Sequence, residues 1–213
     1  MERDFANALN DVLQNLDARE REEIARLNCD VLLILRYVSL DTNLLYASIS
    51  LWDPLMHCFR LRDKEIVPLP EELGALIDWP VVSLPCISNT ANRFVDEYEQ
   101  YLRLSPTISG CIVHGWEIDL LALVDYIASD ASCRRVYRRC AIMICLFARF
   151  LFVHGKPNVG HASIISIVEQ HEASRTPMSL CTGELFMMLD RLKKDVHAPL
   201  SGCPTLLQVQ YFV

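Results

Sequence analysis

The chain is 213 residues long, 52% hydrophobic and 22% charged, with a formal net charge of −7, a pI near 5.3 and a mean hydropathy of +0.20. That apolar content excludes a disordered chain and supplies one substantial core, with nothing that demands a second domain. The acidic balance excludes a general polyanion binder, which needs an excess of cations, and leaves only local basic patches for such contacts.

Taken in chain order, Phe5, Leu9, Val12, Leu13 and Leu16 recur at helical spacing and predict a short amphipathic helix from Asp4. AREREEIARL at 18–27 sets opposite charges three and four residues apart, the pattern of a solvated helical face, and leads into the apolar run VLLIL at 31–35. Asp41 reads as an N-cap, and TNLLYASISLW after it reads as helix up to Pro54, which cannot continue one. The period then changes. Met56, Cys58 and the run HCFRL alternate, Arg62-Asp63-Lys64 reads as a turn and Glu65-Ile66-Val67 returns, so about 56–67 predicts a small β-hairpin. Helix resumes at Pro70, whose fixed φ suits a first helical position, with Glu71 and Glu72 where the helix dipole favours negative charge. Trp52 and Trp79 are expected to close the two flanking helices, with Phe59 and Ile66 between them and Asp53-Pro54 as the exit turn.

VVSLPCISN reads as loop, and NRFVDEYEQYL at 92–102 as a helix broken by Ser105 and Pro106. WEIDLLALVDYIAS at 116–129 predicts a helix with Leu120, Leu121, Val124 and Ile127 inward. CRRVYRRCAIMICLFARFLFV at 133–153 predicts the longest helix and the centre of the core. Its apolar run is interrupted by Arg149 and is shorter than the roughly 20 residues a bilayer needs, so it reads as a buried helix rather than a span. Helices at 163–173 and 179–196 follow, separated by Arg175-Thr176-Pro177, and CPTLLQVQYFV at 203–213 looks like the start of another. The expected fold is mainly α: a compact multi-helix domain with one small β-hairpin. The expected organisation is an N-terminal amphipathic segment at 1–27 before a helical domain at 28–213, the latter expected to be truncated at its C-terminal end.

Nine cysteines are scattered without a C-x-x-C pair behind a charged, amphipathic N-terminus, and read as reduced thiols of an intracellular protein rather than disulfides or zinc ligands. Of the 20 basic residues only Lys64, Lys156, Lys193 and Lys194 are lysine; the arginine bias suits forked, partly buried ion pairs. Arg134, Arg135, Arg138 and Arg139, with Tyr137 interleaved, form one cationic cluster able to hold phosphates while the ring stacks. The competing reading pairs these arginines with the chain's own acidic surplus. His154 and His161 flank GKPNVG, but with Cys145 they match no metal-ligand spacing, and no phosphate loop is present. Asp53, Asp63, Asp119 and Asp125 would have to converge for two-metal nuclease chemistry, and nothing in their spacing brings them together.

The segment LLYASISLWDPLMHCFRLRDKEIVPLPEELGALIDWPV resembles the plant mobile domain family, also labelled aminotransferase-like plant mobile domain or putative plant transposon protein. Its members carry a W-D-P … F-R-F … E-[IL]-x-P-T-x-E-E pattern. Trp52, Asp53, Pro54, Phe59, Arg60, Glu65, Pro68, Glu71 and Glu72 occupy it, Trp79 follows, and Leu69-Pro70 stand where the family commonly has threonine. RRCAIMICLFARFLFVHGKPNVGHASIISIVEQ is similar to the family's long core helix, loop and helix, and CTGELFMMLDRL with GCPTLLQVQ to its ending, so the likeness covers roughly 28–213. The resemblance implies an α-rich fold, a plant source, descent from transposable elements, nuclear roles in silencing and development, and a phosphatase-like protein partner. Pyridoxal phosphate chemistry needs a Schiff-base lysine in a buried phosphate site, and none of the four lysines reads as one, so neither aminotransferase activity nor a cofactor is expected. The expected function is a non-enzymatic, transposon-derived protein-interaction module that docks through exposed apolar surface and makes no membrane contact. A nucleic-acid-associated protein using the arginine cluster is the alternative, and a metal-dependent nuclease a weaker one.

Overall fold

The computed structural model describes residues 4–79, 84–87, 93–129 and 135–212. Among them, twelve helices and two small three-stranded antiparallel sheets share one hydrophobic core, in agreement with the mainly α expectation.

Helix α1 (Phe5–Gln14) buries the predicted stripe against α8 (Leu120–Ser129). Helix α2 (Ala18–Ala25) opens with a capping box: Asp17 Oδ1 accepts from the Glu20 N–H at 2.7 Å, and Glu20 Oε2 accepts from the Asp17 N–H at 3.0 Å. Asn28, at φ 53°, separates it from α3 (Asp30–Leu35). Asp41 caps α4 (Thr42–Ile49) as expected, its Oδ1 accepting from Leu44 N–H at 3.0 Å.

Helix α4 ends at Ile49 instead of running to Pro54, because other partners claim its last turn. Lys193 Nζ donates to the Ile49 and Ser50 carbonyls at 3.1 and 2.9 Å, and Trp52 already belongs to a strand. The predicted hairpin is part of a larger sheet in which β1 (Trp52–Asp53), β2 (Cys58–Leu61) and β3 (Lys64–Ile66) pair in that order. Trp52, Phe59 and Ile66 face one another across it, the arrangement that packs best on a half-buried sheet. Helix α5 (Pro70–Leu76) starts on its proline. It ends as Asp78 turns to φ 55° and the Trp79 N–H donates to the Gly74 carbonyl at 2.9 Å, a Schellman-type closure. Of the predicted loop VVSLPCISN, residues 84–87 run beside Thr176, with Thr176 N–H donating to Leu84 O and Cys86 N–H to Thr176 O; the remainder lies outside the described residues.

Helix α6 (Phe94–Leu102) is followed by α7 (Pro106–Ile112). Ser105 and Pro106 therefore start a helix where a break was expected, with the Ser105 side chain accepting from Ile108 N–H. A second sheet, β4 (Val113–His114), β5 (Glu117–Asp119) and β6 (Val159–His161), was not foreseen. It removes Trp116 from the predicted helix and places it in a turn beside Gly115 at φ 65°. Helix α8 starts only at Leu120, where Asp119 Oδ1 accepts from Ala122 N–H at 2.9 Å.

Helix α9 (Arg135–Phe150) is the centre of the core as expected, buried from Cys140 onward except at Arg149. It closes at its C-terminal end, where the Leu151 and Phe152 N–H groups both turn back to the Phe147 carbonyl, and α11 (Met178–Lys194) follows later in the chain; the expected start of α9 at Cys133 lies outside the described residues. Helices α10 (Ile164–Glu172) and α12 (Pro204–Phe212) complete the fold, the latter packing on α4, α5 and α9.

Candidate interaction surface

The residues singled out around Trp52 come together on the outer side of α11. The Trp52 indole N–H donates to Asp190 Oδ1 at 2.8 Å. Asp190 Oδ2 lies 3.4 Å from His57 Nε2, and the His57 ring stacks on Phe186 with centroids 5.1 Å apart. Phe186 and Asp190, four apart on α11, thus hold the sheet by one apolar and one polar contact.

Asp53 builds the turn after β1. Its Oδ1 accepts from the N–H groups of Leu55 and Met56 at 2.9 and 3.3 Å, and its Oδ2 pairs with Arg60 Nη1 at 3.0 Å. The Leu55 N–H foremost, then Met56 and Arg60, hold the Asp53 carboxyl below the usual range against some desolvation. Arg60 also lies 3.5 Å from Glu65 on the neighbouring strand. Pinned in this way, the turn projects Leu55, 90% exposed, and Met56, 58% exposed. Beside it Ser50, Leu51, Pro54, Arg60 and Lys193 line a shallow hollow of about 350 Å³. Asp53, Arg60 and Lys193 at this face all have partners within the chain.

The other motif residues are structural in position. Phe59 and Pro68 are buried, Glu71 is exposed in the first turn of α5, and Glu72 accepts from Gln210 Nε2 of α12 at 2.7 Å. Trp79 lies far along the chain from Trp52's contacts: it is buried against Phe147 and His171, and its indole N–H donates to Asn28 O.

Arg134 lies outside the described residues. The other three arginines of the cluster are tied into the chain: Arg135 reaches Asp17 at 3.4 Å, Arg138 reaches Glu20 at 2.7 Å and the Ile127 carbonyl at 2.6 Å, and Arg139 reaches Glu172 at 2.7 Å. Tyr137 is half-buried among them. These guanidiniums clamp α9 to α2 and α10, and Arg138 also satisfies a carbonyl near the end of α8.

Among the described residues no group of three or more His, Cys, Asp or Glu is placed to hold a metal ion. Asp53 and Asp119 lie in different sheets and each binds backbone N–H groups, while Asp63 lies in the β2–β3 turn. The His154 and His161 rings do meet, at 4.8 Å between centroids, beside a Lys156–Glu117 ion pair, whereas Cys145 is buried in α9. Lys64 is on β3, Lys193 caps α4 and Lys194 ends α11. One juxtaposition that sequence spacing could not reveal is Cys29 Sγ at 3.6 Å from His171 Nε2, across 142 residues. It is not an activated pair: Cys29 is fully buried, burial pushes its thiol well up, and the same nitrogen faces Leu27 O at 2.9 Å.

No helix among the described residues is long and apolar enough to cross a membrane. Comparisons with protein-family models, with curated proteins and with solved structures returned no match.

Proposed function

We propose that this chain is a non-enzymatic protein-docking module, of the transposon-derived kind that its resemblance to plant mobile domains implies. Its working face is the β1–β2 turn. The observation that carries this reading is the exposed Leu55–Met56 tip, held rigid by Asp53 and by the Trp52–Asp190 bond. Exposing two large apolar side chains on an ordered turn gains nothing for folding, whereas a preorganised apolar anchor lowers the ordering cost of binding. The nuclear setting and the phosphatase-like partner rest on the resemblance alone. The nucleic-acid alternative would have to detach arginines from the carboxylates they hold.

The test is affinity capture from nuclease-treated plant nuclear extract with the parent chain and with a Leu55→Glu, Met56→Glu variant. The expected result is a discrete protein recovered by the parent and reduced about tenfold or more by the variant, whose melting temperature is unchanged because both side chains are exposed. Equal recovery by both chains would sink the reading, and recovery of only nuclease-sensitive material would shift it to the arginine cluster.

A further inference from the structure

Leu180, Gly183, Glu184 and Met187 fall three and four apart on α11 and form a second stripe of that helix, separate from the Phe186, Asp190 and Lys193 stripe that carries the Trp52 sheet. Together with β6 and the start of α10 this stripe walls a hollow of about 370 Å³, within the size range of small-molecule sites. Phe152, Ile164 and Ile167 make its buried apolar floor, while His161, Ser163 and Ser179 stand at its polar edge.

Glu184 packs its backbone and Cβ against Gly202, but nothing among the described residues accounts for the glycine at 183 or pairs with the Glu184 charge. Glycine in the interior of a helix costs about 1 kcal/mol relative to alanine, a cost usually met where something packs too closely for a side chain. A Cβ on Gly183 would meet nothing within 4 Å. The glycine therefore leaves a notch in the wall of the hollow that no part of the described chain fills. Next to it the half-buried Glu184 lines the same hollow without an ion pair to any described residue, and the lining contains neither lysine nor arginine. A charge in that setting gains most from an opposite charge delivered by a ligand.

We infer that this hollow binds a small organic cation, an alkyl- or arylammonium. Its apolar body lies on Phe152, Ile164 and Ile167 within the Gly183 notch, and its ammonium pairs with Glu184. The first turns of α10 and α11 also border the hollow, through Ser163 and Ser179, and would favour an anion; the full charge of Glu184 outweighs those partial charges. The assignment does not depend on the docking surface, whose residues lie on another face of α11.

Three probes of matched shape separate the possibilities when titrated into the isotope-labelled full chain and followed by amide NMR: phenethylammonium, 2-phenylethanol and 3-phenylpropionate. The expected result is saturable shifts at Ile164, Gly183 and Glu184 with the ammonium, binding about tenfold weaker for the alcohol, and none for the carboxylate. Gly183→Leu should abolish binding of every probe without lowering the melting temperature, since the helix gains a better former and the side chain has open space. Glu184→Gln should leave ammonium and alcohol equally weak, and this variant decides the matter if Gly183→Leu misfolds. Equal binding of ammonium and alcohol by the parent, binding of the carboxylate, or full ammonium binding by a folded Gly183→Leu would each overturn the inference.

Discussion

Trp52 finds its hydrogen-bond acceptor 138 residues away, on Asp190. The sequence marks this tryptophan as a structural residue at the end of a helix, yet no local pattern names the partner, because side-chain pairing across the fold leaves no periodicity. Trp52→Phe removes the indole N–H together with one ring of a fully buried side chain. Asp190 is then left to His57, and the chain is expected to lose about 1–3 kcal/mol, read from urea denaturation. A loss near zero would mean that neither the bond nor the packing of that ring helps to hold the sheet. Asp53 was legible as a turn former. That its turn would present Leu55 and Met56 to solvent was not, since exposure depends on what the rest of the chain leaves uncovered.

At the scale of elements, the long periodic segments were readable and the short ones were not. Strands β4, β5 and β6 hold two or three residues each, too few for an alternation to register against the helical period of WEIDLLALVDYIAS. Tertiary contacts create that sheet. Ile118 is fully buried at its centre, opposite Val113 on one side and Gly160 on the other, and a Cβ on Gly160 would come within 3.1 Å of the Ile118 side chain. The glycine is thus where the isoleucine lies over the neighbouring strand. Ile118→Ala is expected to cost about 2–5 kcal/mol in chemical denaturation, as a large-to-small change in a packed core. A surface-like cost below about 1 kcal/mol would show that the sheet is not a stabilising element. Helix α7 was missed for a different reason: Ser-Pro was read as a stop, although the same pair serves as cap and first helical residue.

For the whole molecule, a chain of net charge −7 turns the described arginines of its one cationic cluster on its own carboxylates. Arg135, Arg138 and Arg139 face Asp17, Glu20 and Glu172, the outcome foreshadowed by the arginine bias and the acidic surplus, though the particular pairs span 33 to 118 residues. Acid should undo the fold in two stages. His154 is held below the ordinary imidazole value, first by burial and then by the neighbouring His161, and its Nδ1 accepts from Lys156 N–H at 3.1 Å. The unfolded chain therefore takes up that proton more readily, and stability falls as the pH drops below about 6.5. Asp17, Asp53 and Glu117 are held low by hydrogen bonds, foremost from Glu20 N–H, Leu55 N–H and Lys156 respectively. Their contribution is present above about pH 4 and is lost as the pH falls through their depressed values. Urea midpoints measured between pH 7.5 and 3 should show both stages, with His154→Gln flattening the upper one and leaving the lower. A parent midpoint that does not fall between pH 7.5 and 5.5 would refute the part assigned to His154.

The sequence by itself determined what is local: the amphipathic stripes of α1 and α8, the cap at Asp41, the proline start of α5 and the apolar centre of α9, each written within a turn or two of chain. Only the tertiary structure decided which carboxylate each arginine meets, where three-residue segments become strands, and which apolar side chains stay uncovered. It also opened the Gly183 notch beside Glu184. Those features are set by groups many tens of residues apart, whose meeting depends on the packing of the whole chain rather than on any spacing within it.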